Sequence, residues 1–501
     1  MAKLTEWKPE DAQTWRAGGS RVAWRNLTCS VPSLLCAFSV WMFWSILTAK
    51  MKDAGFPFTD AQLFTIVGIA GLAGATLRIP SSFLVALAGG RNVVGITTAL
   101  LIAPALGAGV ALQDRSTPFA TFAALAVLSG VGGGNFSSSM SNITGFFPKR
   151  LAGLALGLNA GIGNLGVSVM QFLVPVVMAG ALFGGLAGAP HLTAAGKALY
   201  IQNGALVWVP LLVIFTAASW FGMNNLPAHD SEPTGAAVGR ILALQGVGLA
   251  VSGVGAWILV KNPALPLGLQ LGLVLLVVAL CLGAMKLFPG KVKASLDRQF
   301  AIFRMKHNWV MTVLYIMTFG SFIGYSASFP LLIKIVFKKD PSAYAFLGPL
   351  LGSLIRPVGG WLSDKLRGSV VTQWSTAIQI AGALLVAHYV KAAVAAPDPS
   401  VHFAAFMASF MLLFLGSGIG NGSTFQMVPF IFEPQFAGPV LGWTGAAAAY
   451  GSFIIPTVFK SQIKPGAVTV ENALYGFAAF YVLCLALNWW YYVRKDAEVR
   501  C

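Results

Sequence analysis

From residue 27 to residue 493 the chain is a succession of apolar runs, most of them twenty residues or longer, parted by short polar stretches. A helix rising 1.5 Å per residue needs about 20 such residues to cross the hydrocarbon of a bilayer. Only 10% of the 501 residues are charged, against about 25% in an ordinary soluble domain, so lipid is the solvent for most of the chain. Lipid offers the backbone no hydrogen bonds, which leaves the helix as the spanning element for runs of this length. Fourteen crossings are expected, over 27–49, 60–88, 93–113, 119–146, 151–187, 199–222, 241–260, 265–286, 309–333, 343–362, 370–390, 402–432, 438–459 and 473–493. The fold class is all-α integral membrane, with Pro80, Pro175 and Pro357 as natural kink sites.

The 33 Lys and Arg outnumber the 16 Asp and Glu, a net charge of +17. An even number of crossings puts both termini on one side. With the amino end in the cytoplasm, Arg91, Lys149, Arg150, Arg240, the stretch from Lys286 to Lys306, Lys365 and Arg367 fall inside, and the larger basic share follows the positive-inside bias. The surplus therefore belongs to topology and contact with anionic lipid, not to nucleic acid. The five cysteines, Cys29, Cys36, Cys281, Cys484 and Cys501, show no C-x-x-C spacing, so no disulfide framework, metal site or cofactor is expected. The amino-terminal stretch has no short apolar region with a small-residue cleavage site, so no removable signal peptide is expected either.

The chain repeats itself. Gly130-x-Gly132-x-Gly134-Asn135-x-Ser137 returns as Gly416-x-Gly418-x-Gly420-Asn421-x-Ser423 at an offset of 286. Gly153, Leu156, Gly157 and Gly166 return as Gly438, Leu441, Gly442 and Gly451 at 285, and the run Gly74 to Pro80 resembles Gly352 to Pro357 at 278. Two like halves are implied: a six-helix bundle over 1–226 and another over 308–501. Residues 227–307 form a linker carrying two inserted transmembrane helices, whose external end is a turn at Lys261-Asn262 with Pro263 and Pro266 beside it. Parallel repeats of this kind mark transporters whose site lies near the midplane between the halves.

The repeat also pairs Arg78 with Arg356, the two basic residues that fall inside apolar runs. An Arg at the centre of a spanning helix costs at least about 2.5 kcal/mol on insertion. Snorkelling to the edge is the plain explanation, but both lie many residues from a loop. Every Asp and Glu falls at a helix end or in a loop, so no carboxylate neutralises either arginine. Two unpaired guanidiniums facing one cavity make an anion site, and their planar forks suit a small flat oxyanion such as nitrate or nitrite. The five histidines read as loop or helix-end residues, with His388 the one expected to be partly buried; none reads as a proton relay. Small residues in the glycine runs are read as helix-packing positions. Asn135, Asn159, Asn164 and Asn421 either tie helices together or donate to a ligand. From composition alone Phe38, Phe136, Tyr315 and Phe319 are core or lipid-facing rings.

The run Arg78-Ile79-Pro80-Ser81-Ser82-Phe83, the stretch Gly132-Gly133-Gly134-Asn135-Phe136 through Ser141-Asn142, and Gly157-Leu158-Asn159-Ala160-Gly161-Ile162-Gly163-Asn164 resemble the nitrate/nitrite porter family of the major facilitator superfamily. The resemblance continues through Thr318 to Gly324 and Gly422 to Met427, so it covers most of both halves. It implies a twelve-helix facilitator bundle, with Arg78 and Arg356 as substrate arginines and Asn164 as a polar contact. It further implies an aromatic sandwich of Phe38, Phe136, Tyr315 and Phe319 around the anion. Gly359 to Lys365 resembles the superfamily's cytoplasmic loop motif. The chain departs from the family in its two extra central spans, in the short loop after Phe432, and in Ala446 to Ala449 where glycines are frequent.

The function these features imply is nitrate/nitrite exchange by alternating access, in the cell inner membrane, with both termini cytoplasmic and the monomer as functional unit. Nitrate/proton symport and a passive anion channel are the alternatives. An embedded redox or quinone enzyme would need paired intramembrane His or a Cys cluster, and the sequence offers neither.

Overall fold

The computed structural model describes residues 4–227, 233–464 and 467–501. Residues 228–232, the expected linker into the inserted pair with His229 among them, lie outside the described residues. Fourteen long helical stretches, some of them broken, follow one another among those residues. They are α1 (Ser20–Met42, continuing as Trp44–Asp53), α2 (Asp60–Ala88), α3 (Gly90–Leu100 and Ile102–Ala111), α4 (Phe119–Thr144), α5 (Lys149–Val177) and α6 (Trp208–Gly222). The middle pair is α7 (Thr234–Lys261) and α8 (Leu267–Lys286). Then come α9 (Lys306–Tyr315 and Ser321–Val336), α10 (Leu347–Leu366), α11 (Gly368–Ala395), α12 (Phe403–Ile431), α13 (Pro434–Ala449 and Gly451–Ser461) and α14 (Val470–Asn488). Two short antiparallel hairpins, His191–Leu192 with Ala198–Leu199 and Ile463–Lys464 with Ala467–Val468, decorate the loops.

Eleven helices among the described residues are long and apolar enough to cross a membrane, or twelve with the bent α1 counted as one span. The two helical stretches outside that number differ from the rest in sequence. α10 carries Arg356, Asp364 and Lys365, and α13 is split into two shorter pieces at Tyr450. Pro80, Pro175 and Pro357 sit inside continuous helix. The breaks fall elsewhere, at Phe43, Leu101, Tyr450 and a wide π turn over Ile316–Gly320 in α9. Neighbouring helices can re-satisfy the group a proline frees, whereas a π turn re-aims the side chains it carries and recurs at functional sites.

The glycine runs work as contact surfaces. A Cβ on Gly74 of α2 would collide with the Trp41 indole, and one on Gly133 of α4 would collide with the backbone of Gly74. With no side chains between them the two backbones approach closely, and the Trp41 indole lies across α2, its Nε1 donating to Ala70 O at 2.8 Å. α2 is buried along its whole apolar length: α4 lies on one side, α13 of the other half on another, and α7 with α8 along a third.

The halves meet where α1 faces α9, α2 faces α13 and α5 faces α10. Ser168 Oγ donates to Phe346 O at 2.9 Å, Gln171 Nε2 to Ser326 O at 2.9 Å, and Thr76 shares a hydrogen bond with Tyr450. At one rim the halves are joined by reciprocal ion pairs. Lys50 holds both oxygens of Asp340 at 2.8 and 2.9 Å, and Lys334 holds Asp53 at 2.6 Å. His388, expected to be partly buried, is exposed on α11. Among the described histidines the buried one is His191, in the first strand of the first hairpin, whose Nε2 lies 2.7 Å from Leu112 O.

Candidate functional site

Arg78 sits in the middle of α2 and is completely buried, and Arg356 in α10 is 6% exposed. Each stands on the second helix of its half, as the repeat requires. Neither makes an ion pair with a carboxylate among the described residues, and the acids that bridge the halves are at the rim. Backbone carbonyls take that place for Arg78. Its Nε donates to Gly133 O of α4 at 3.0 Å and its Nη1 to Gly445 O of α13 at 3.0 Å, one from each half. Nη2 has no hydrogen-bond partner among the described residues.

Aromatic faces complete the surroundings. The Arg78 guanidinium carbon lies 4.6 Å from the ring centre of Phe136, 4.8 Å from Phe319, 5.3 Å from Trp41 and 5.8 Å from Phe38. Desolvated cation–π contacts of this kind stabilise a buried guanidinium without neutralising it. Phe136 of the first half stacks on Phe319 of the second at 5.9 Å and 18°, and Phe319 stacks on Tyr315 at 5.5 Å and 7°. The π turn of α9 starts directly after Tyr315 and contains Phe319, and the two rings stand in one near-parallel column. At the column's far end the Tyr315 hydroxyl accepts a hydrogen bond from Arg356 Nη2 at 3.3 Å. Arg356 Nη1 has no partner among the described residues.

The structure therefore joins Arg78, Phe38, Phe136, Phe319, Tyr315 and Arg356 in one continuous buried cluster across both halves. Asn164 is not joined to it by any hydrogen bond. It is buried on α5, with both amide atoms unpartnered. Asn421 shares that condition, whereas Asn159 ties α5 to Ser139 of α4 at 2.9 Å. Three members of the cluster escape sequence reasoning. Phe425 lies 5.0 Å from the Arg356 guanidinium and edge-on to Tyr315 at 4.7 Å; its place four residues after Asn421, on one helix face, is the signal that would have found it. Trp41 stands three residues after Phe38 on α1. Gly445 acts through its carbonyl, which no side-chain pattern reveals.

Chemically, the cluster presents two fixed positive charges, each with a free N–H donor, in a water-poor aromatic setting. It holds no nucleophile–base pair, and no group of His, Cys, Asp and Glu able to hold a metal occurs among the described residues. The Major Facilitator Superfamily profile matches residues 31–456. Over 99% of its length the chain is 38% identical to a probable nitrate/nitrite antiporter, NarK2, of Thermus thermophilus, covering 98% of that protein. It is 35% identical to the nitrate/nitrite transporter NarU of Escherichia coli K12, over 98% of the chain and 96% of the relative. Among solved structures it resembles the xylose transporter XylE from E. coli, with a TM-score of 0.61 at 11% identity over 94% of this chain and 97% of that one. The POT family transporter PepTSo is similar at 0.60 and 14%, over 93% and 97%; at such identities these two likenesses speak for the fold alone. On the profile and the full-length relatives together, the chain belongs to the nitrate/nitrite porter family of the Major Facilitator Superfamily, multi-pass membrane transporters and not enzymes.

Proposed function

We propose that this protein exchanges nitrate and nitrite across the membrane by alternating access, with Arg78 and Arg356 coordinating the anion between the halves. One observation carries the reading: two buried guanidiniums, linked through Phe319 and Tyr315, each keep an unpartnered donor and have no carboxylate beside them. A planar oxyanion accepts from both donors and supplies the missing charge. Phe136, Phe319, Phe38 and Tyr315 form its aromatic walls, and Asn164 contributes an amide from α5. The relatives' names support the same substrates. Fourteen crossings, with both termini cytoplasmic, place the Lys50–Asp340 rim outside. Residues 1–226 and 308–501 then rock against each other around the anion, with 227–307 as the inserted segment and the monomer as the working unit.

Exchange follows from electrostatics. Two like charges about 8 Å apart repel by about 2 kcal/mol at an effective dielectric of about 20, and closing the site also strips their water. A bound anion offsets both terms, so the loaded carrier reorients readily and the unloaded one does not. Counterflow in reconstituted vesicles tests this. Uptake of labelled nitrate is expected to need nitrate or nitrite inside, and to survive collapse of the proton gradient. Equal uptake into anion-free vesicles that disappears with the gradient would establish proton symport instead, and flux that never saturates would establish a channel.

A further inference from the structure

The inserted pair lies against the helix that carries Arg78, and its contacts are specific. Along α7 the buried positions Ile241, Leu244, Gln245, Gly248, Ser252 and Gly255 form one stripe at helical spacing. Gln245 Nε2 donates to Ser81 Oγ of α2 at 2.9 Å, with both residues buried. One turn on, Gly248 lets α2 close in: a Cβ there would stand 2.6 Å from Leu77 Cδ2 and 3.3 Å from Pro80 Cγ. At the end of α2, Arg240 Nη1 donates to Leu87 O at 2.7 Å, one of the last-turn carbonyls a helix cannot satisfy itself.

Here α2 lacks one of its own backbone hydrogen bonds. Pro80 has no N–H, so the carbonyl of Thr76 loses its usual bond just beside Arg78. Ser81 also reaches the other way. A Cβ on Gly134 of α4 would lie 2.7 Å from Ser81 Oγ, and the preceding residue, Gly133, is the one whose carbonyl holds Arg78 Nε. The gap between α2 and α4 across which Arg78 is clamped is thus set at Ser81, which Gln245 holds from behind. Merely covering α2 from lipid would call for leucine at 245. A glutamine buried in a spanning helix is costly unless its bond does something an apolar side chain cannot.

We propose that Gln245, acting through Ser81, is a positioning residue for Arg78, and that the inserted pair is a brace that fixes the guanidinium of the anion site. This rests on the anion-site reading above. The test uses the full chain in vesicles, with Gln245→Leu, Ser81→Ala, the double variant and Arg78→Lys. Gln245→Leu is expected to raise the nitrate KM about fivefold to tenfold while Vmax stays within about twofold. Ser81→Ala should do the same from the α2 side, without touching the insert. The double variant should be no worse than the more damaged single, because the two residues act through one bond. An unchanged KM in Gln245→Leu and Ser81→Ala, with Arg78→Lys still impaired, overturns the brace and leaves the anion site standing. An unchanged KM in Arg78→Lys removes the anion site itself. A fall in folded yield and Vmax with KM untouched, or additive losses in the double variant, would make Gln245 structural only and likewise overturn the proposal.

Discussion

Arg78 gives one donor to a carbonyl from each half and keeps its third nitrogen unpartnered, while four rings crowd the same guanidinium. That the position is unusual was legible in the sequence, because an arginine deep in an apolar run is costly and this one has a twin. The rings were not. The chain has 35 phenylalanines, and nothing in composition separates Phe136 and Phe319 from those that face lipid; only the resemblance to a family singled them out. Phe319 bridges Arg78 and Tyr315, so Phe319→Ala is expected to weaken apparent nitrate affinity about tenfold, through lost cation–π contact and a cavity. Saturation of uptake in vesicles measures it, and an unchanged half-saturation would remove the ring from the site. Tyr315→Phe deletes only the hydroxyl that accepts from Arg356 Nη2. A loss of about fivefold is expected, about 1 kcal/mol, the size of an ordinary hydrogen bond, because this one is long at 3.3 Å, with no change in thermal unfolding of the purified protein.

At the scale of elements, the helices were readable because lipid leaves the backbone no other choice, and the close contact of α2 with α4 was readable as glycine spacing. Gly74 makes the contact directly, and Gly74→Ala forces the Trp41 indole aside. Overpacking of this kind costs about 1–3 kcal/mol and should appear as a lower unfolding temperature in detergent; an unaltered temperature would mean that α2 and α4 have slack. The rim ion pairs could not be read, because each partner alone is an ordinary loop or helix-end charge and the pairing exists only once the halves meet. Lys50 and Lys334 occupy the ends of equivalent helices, the first of each half, so duplication supplies both arms of the latch. Asp340 is partly buried, which alone would raise its pKa. The Lys50 ammonium, the Ser342 amide and the Ser342 hydroxyl outweigh this and pull it down to about 2. A depressed carboxylate contributes its stabilisation above the ordinary carboxylate value and loses it only as the pH falls through about 2. Distances between spin labels at residues 52 and 339 should therefore be the same at pH 5 and pH 8, and broaden in Lys334→Ala. A change in wild type centred between those pH values would show that another group controls the rim.

For the whole molecule, the repeat is the most informative feature of the sequence. It predicted two halves, put one arginine on the second helix of each and implied a site between them. What it could not reveal was how the halves touch, since Gly445 O, Thr76 with Tyr450, and Gln171 with Ser326 join residues far apart in the chain. Nor could it say what α7 and α8 do, because an apolar run looks the same whether it seals a helix from lipid or braces it. The central claim is that two forked cations bind one planar anion jointly. Calorimetric titration of nitrate into the purified protein tests it most directly, comparing wild type with Arg78→Lys and with Arg356→Lys. One site per chain is predicted in wild type, and a loss of affinity of about tenfold to a hundredfold in each variant although its charge is kept, because an ammonium does not reproduce the fork. Wild-type affinity retained in either lysine variant would contradict the account.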